Sequence, residues 1–173
     1  MLPGFVEFLR EFEQAVASED VQWFIDHTHF ETAICPSLAS NETPPPLCSG
    51  IAPPPSGPGI MIGSWNGEGS MVTEDYYVSR LRSQAPRTSH MFAIGHQHYG
   101  LELGPSEVGI VVVNPGLVTP LPTPFGGESV TAYRVDQIDG EWKIVGVNGG
   151  LEGLVPYFFN WYAPWDVVAA ELG

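Results

Sequence analysis

Positive charge is scarce in this chain: six Lys plus Arg stand against twenty Asp plus Glu, for a net charge of −14. Such a field repels phosphate backbones and anionic lipid, so nucleic acid and membrane surfaces are excluded as expected partners. Long apolar runs are also missing, and none approaches the roughly 20 residues needed to span a bilayer. Glu7, Glu11 and Glu13 stand where a signal peptide would be basic and then apolar. There are only two cysteines, which rules out a disulfide-dense scaffold and a Cys-x-x-Cys redox motif. Charged residues make up 15% and hydrophobic residues 43% of 173 positions, enough apolar side chain for a single domain with a real core.

Glycine and proline are abundant but clustered, chiefly over 44–59 and 115–127, leaving periodic sequence between. Cys35 and Cys48 bracket an aperiodic, Pro-rich stretch, read as an insertion over about 35–60. A disulfide between them would close a loop of about 14 residues and contribute roughly 3 kcal/mol; the alternative is two buried thiols. With the disulfide an exported or oxidising location follows; without it, a cytoplasmic one.

Residues 3–17 place Phe5, Phe8, Leu9, Phe12, Ala15 and Val16 on one helical face, opposite Glu7, Arg10, Glu11, Glu13 and Gln14. Ser18 is expected to cap a second helix, with Glu19 and Asp20 in its first turn and an end near 26–28. Thr73 caps a third over 74–85, where Glu74 and Asp75 precede Arg80 and Arg82, in the order the helix dipole favours. Strand-forming segments follow at 88–103, 107–114, 128–138 and 141–148. Asp139-Gly140 predicts a tight hairpin, because both central residues of that turn need positive φ. Ile60-Met61-Ile62 offers one more strand. The expected fold is α+β, with N-terminal helices packed on an antiparallel sheet.

This order of elements, the Ser18-Glu19-Asp20 turn before Val21-Gln22-Trp23-Phe24-Ile25, and the closing hairpin Tyr133 to Ile144 resemble the NTF2-like superfamily. That superfamily includes ketosteroid isomerases, SnoaL-like cyclases and limonene epoxide hydrolases. The resemblance implies a strongly bent sheet wrapping the helices into a cystatin-like cone with an apolar pocket. It covers about 1–30 and 73–148, and fold alone fixes no activity. The isomerase pattern is absent. Ile34-Cys35-Pro36 stands where its base would fall, Glu11-Phe12 where its tyrosine would fall, and Thr131 and Ala132 where its acid would fall. The epoxide-hydrolase arrangement is not readable either, since Arg134 and Asp136 share a strand face without a second assignable acid.

The leading expectation is a cone holding a small, mostly apolar molecule, lined by Phe12, Trp23, Trp65, Tyr77, Phe92 and Trp142. Isomerase, hydrolase or lyase activity would draw on Asp26, His27, Tyr76, His96 and His98. A carboxylate or imidazole at the open end of the second helix would be tuned by an apolar cone; the competing reading is a solvated helix end. Tyr76, Tyr77 and Tyr99 can donate to a bound oxyanion or carbonyl, or sit buried with satisfied hydroxyls. No cofactor is expected.

Two alternatives stand beside this. His96 and His98, two apart on a strand, can share a face and chelate zinc or another divalent metal, with His27, His29, His90, Glu31 or Glu102 as third ligand; an ordinary solvated pair explains them equally. The other is a non-catalytic homodimer, built on the aromatic extension at 151–173, in which Asp166 opens a short final helix. Gly57–Gly69 lacks the Lys-Ser/Thr of a phosphate loop, and turn chemistry accounts for its glycines.

Overall fold

The computed structural model describes residues 4–34, 56–64, 69–83, 90–97, 108–119, 127–151 and 159–172. The described elements run α1 (Phe5–Ser18), α2 (Val21–Asp26), β1 (Glu31–Ile34), β2 (Ser56–Ser64), β3 (Gly69–Thr73), α3 (Glu74–Ser83), β4 (His90–Gln97), β5 (Val108–Thr119), β6 (Gly127–Ile138), β7 (Glu141–Leu151), β8 (Phe159–Pro164) and α4 (Trp165–Leu172). The class is α+β, as expected. None of the described helices is long and apolar enough to cross a membrane.

The aromatic stripe forms α1 and is buried along its whole length, from Phe5 to Val16. The second helix starts differently from expectation. Ser18 ends α1 and turns its hydroxyl back to the Gln14 carbonyl at 2.7 Å, while Glu19 takes a left-handed conformation at φ 57°. Asp20 is the cap, accepting from the Trp23 amide at 3.1 Å. Asp20 is the cap because α1 runs through Ser18 and turns at the left-handed Glu19, which leaves Asp20 as the residue before the new helix. Thr73 does cap α3, its hydroxyl accepting from the Tyr76 amide at 3.3 Å.

The sheet has the order β1-β2-β7-β6-β5-β4-β8, with β3 on β2. The long strands β4 to β7 are antiparallel, and Asp139 and Gly140 turn between β6 and β7 at φ 52° and 86°. One pair departs from the expected antiparallel sheet: β2 runs parallel to β7 from Met61↔Gly146 to Ser64↔Gly149. The strands are therefore not confined to the chain after α3, because β1, β2 and β3 precede that helix. Asn114-Pro115-Gly116 does not end β5; it falls in a register shift between Asn114 and Val118. Among the described residues β4 pairs with β5 from His90↔Val113 to Gly95↔Gly109, which does not include Pro115. Further shifts at Met91/Ala93, His96/Gln97 and Arg134/Val135 bend the sheet around the helices.

Segment 27–29 extends the sheet: the His29 amide donates to the Ile144 carbonyl at 2.9 Å, and the Ile144 amide to the His27 carbonyl at 2.8 Å. The C-terminal segment is described from Phe159 onwards. Its β8 pairs with β4, and α4 opens with Trp165, which is buried and donates its indole N–H to the Glu13 carboxylate at 2.6 Å.

Candidate functional site

Residues four apart on a helix share a face, and α2 uses this to bring Trp23 under His27. Their rings stack at 4.0 Å and 18°. The His27 Nδ1 lies 2.8 Å from the Trp23 carbonyl, which only accepts, so Nδ1 carries a proton. Nε2 is left facing out, 3.8 Å from the Glu11 carboxylate of α1. Glu141, held below the usual carboxylate range by its bond to Lys143 and secondarily by His27, adds negative charge nearby. An oriented imidazole between carboxylates can accept a proton at Nε2, or donate one when protonated.

Rings enclose the other side of this pair. Phe8 lies 5.6 Å and Phe12 5.6 Å from Trp23, and Phe8 also meets Trp142 at 6.5 Å. Phe12 is fully buried, with Phe24 and Tyr133 edge-on at 5.3 and 5.4 Å. Trp142 is packed against Phe5 at 4.5 Å. Within this apolar wall the indole N–H of Trp23 is buried without an acceptor among the described residues.

A second polar group lies where α2, α3 and β6 meet. The Thr28 hydroxyl donates to the Phe24 carbonyl at 2.6 Å and lies 3.4 Å from the Tyr77 hydroxyl. Burial pushes Tyr77 up to about 12, against a smaller opposing effect of Thr28. Burial also raises Tyr133, with Tyr77 adding to the rise and the Arg80 guanidinium opposing it. Both phenols are therefore neutral across the physiological range. Their folded pKa lies above the ordinary 10, so the stability they contribute is complete below pH of about 10 and is lost as pH rises through about 12. A phenolate absorbance titration is expected to leave some tyrosine un-ionised until the chain unfolds; complete ionisation by about pH 11 with the fold intact would contradict this.

The expected residues scatter. His27, Trp23, Phe12 and Trp142 converge on one region, and Tyr77 lies on the adjoining wall. Asp26 is exposed and accepts from Gln22 at 2.8 Å. Tyr76, half exposed, faces outward from α3. His96 is on β4 opposite Trp161 of β8, where the register shifts before Gln97, and Phe92 falls at the β4 shift. Trp65, His98, Cys35 and Cys48 lie outside the described residues. Among the described residues no three His, Cys, Asp or Glu side chains gather as a metal site. Glu11, Thr28 and Tyr133 went unnoticed as site residues in sequence. Only Tyr133 had a signal, sharing strand parity with Val135 on the core face.

No protein-family model matches the chain, and comparison with curated proteins gives no match. Among solved structures it is similar to a domain of unknown function with a cystatin-like fold from Nostoc punctiforme, at 12% identity and a TM-score of 0.39, over 86% of this chain and 75% of that one.

Proposed function

We propose that this domain, an NTF2-like cone by its element order, binds a small, mostly apolar molecule that carries a hydrogen-bond acceptor. The observation behind this is the buried Trp23 N–H, on a ring packed by Phe8 and Phe12 and without an acceptor among the described residues. A buried donor left unpaired costs about 1–3 kcal/mol, which an acceptor on a ligand would recover. The stacked His27 is the group positioned to act on such a molecule, its Nε2 facing the Glu11 carboxylate at 3.8 Å. The pairing of β8 with β4 and the burial of Trp165 cover part of the aromatic extension within one chain, which favours this reading over a homodimeric association module.

The test is titration with a naphthyl ketone dye whose emission shifts to the blue in apolar surroundings. Saturable binding is expected, weakened about fivefold to tenfold in Trp23→Phe, which keeps a ring and removes the N–H. Absence of saturation, or equal affinity in the variant, would refute the proposal.

A further inference from the structure

Strand parity turns Tyr133 into the core, with Ile110 of β5 and Val147 of β7 as its cross-strand neighbours. Its ring packs against Phe12 at 5.4 Å and Phe24 at 5.3 Å, and the residue is only 6% exposed. A phenol this deep ordinarily has its hydroxyl bonded. The Tyr133 hydroxyl makes no hydrogen bond among the described residues. It is not sealed either, since the buried side-chain atoms without a partner among the described residues are the Trp23 Nε1 and the Arg134 Nε. An oxygen that is neither bonded nor sealed borders a space that a water molecule can enter. Tyr77, 2% exposed on α3, lies close enough for charge on it to act on Tyr133. The hydrogen-bond neighbour of the Tyr77 hydroxyl among the described residues is Thr28, at 3.4 Å, beyond the usual range for two hydroxyls.

From these features we propose that the Tyr133 and Tyr77 hydroxyls form a binding position for the carbonyl oxygen of a small neutral molecule. This position is distinct from the Trp23 N–H and does not depend on it: Phe12 and Phe24 bridge the two, packing against Trp23 at 5.6 and 5.4 Å as well as against Tyr133. A carbonyl oxygen carries two lone pairs and no proton, so it can accept from both phenols at once. The Arg80 guanidinium favours negative charge at Tyr133, but less than burial opposes it, so a carbonyl dipole suits the position and a full anion does not. A lone water accepting both bonds would need acceptors for its own two protons, and the Phe12, Phe24, Ile110 and Val147 side chains around Tyr133 supply none. Without a ligand the Tyr133 hydroxyl adds nothing to the fold, so stability and binding separate at this residue.

Infrared spectra of isotopically labelled cyclohexanone, titrated with the full chain and read at the carbonyl stretch, test this. Saturable binding is expected, with the stretch moved to lower wavenumber by the two O–H donors. Tyr133→Phe is expected to weaken binding about fivefold to tenfold and to reverse most of that displacement, while its thermal midpoint stays unchanged or rises, because the hydroxyl removed had no partner. Tyr77→Phe is expected to reverse part of the displacement, and Trp23→Phe none of it. A lower thermal midpoint in Tyr133→Phe would show that its hydroxyl is bonded within the fold and would overturn the proposal. Binding that never saturates, or an undisplaced stretch, would overturn it as well, leaving only water at the two hydroxyls. Loss of binding in Trp23→Phe with Tyr133→Phe unaffected would overturn this position and leave the Trp23 reading standing.

Discussion

Phe12→Ala is expected to destabilise the fold by about 3–5 kcal/mol, the range for emptying a packed aromatic position. Phe12 has no exposed surface, and Phe8, Trp23, Phe24 and Tyr133 surround its ring at centroid distances between 5.3 and 6.2 Å. These neighbours come from α1, α2 and β6, so the cavity could not close without moving two helices and the sheet. Urea unfolding measures the loss directly, with an unchanged dependence on denaturant if the unfolded state is unaffected. The same experiment separates two roles for this residue. A Phe12 that only lined an open ligand cavity would make fewer contacts, and its truncation would cost less than about 2 kcal/mol.

Gly59→Ala is the second substitution with a large expected effect. Gly59 pairs with Glu31 of β1 on one side and Thr73 of β3 on the other, and an added Cβ would run into the Val72 carbonyl. The obstacle is backbone, so no side chain can swing away and β2 and β3 must part. A loss of about 3 kcal/mol is expected, at the upper end for overpacking. Gly149→Ala is the control. It lies in β7 with nothing within 4 Å of the new Cβ, and is expected to be neutral or slightly stabilising. Similar thermal denaturation of the two variants would show that the β2–β3 approach is not tight.

The contrast between these two glycines marks what was legible in the chain. The run Ser56-Gly57-Pro58-Gly59 reads as turn chemistry because glycine and proline punctuate loops far more often than strands. In the fold it opens β2, where Gly59 is required by the close approach of a neighbouring backbone. No local pattern announces that requirement, since the neighbour comes from a different strand. The expected Ser18 cap failed for a related reason. Ser18 and Asp20 are both good caps, and only where α1 ended, through the left-handed Glu19, decided between them.

The site divides along the same line. Trp23 and His27 were each singled out separately, and their spacing of four already placed them on one face. That His27 meets Glu11, and that the Trp23 N–H is buried without an acceptor among the described residues, depends on how α1 crosses α2.

By itself, the sequence determined the elements whose signals are local: the aromatic stripe of α1, the capping of α3 by Thr73, the Asp139-Gly140 hairpin and the helix opened by Asp166. Each rests on side-chain periodicity or on the dihedral preferences of one or two residues, which need no distant partner. The tertiary structure alone decided the parallel pairing of β2 with β7, the docking of β8 on β4, the clasp of Glu13 on Trp165 and the meeting of Thr28 with Tyr77. These contacts join residues tens of positions apart or more, and which of them form is set by the burial of the whole apolar surface at once.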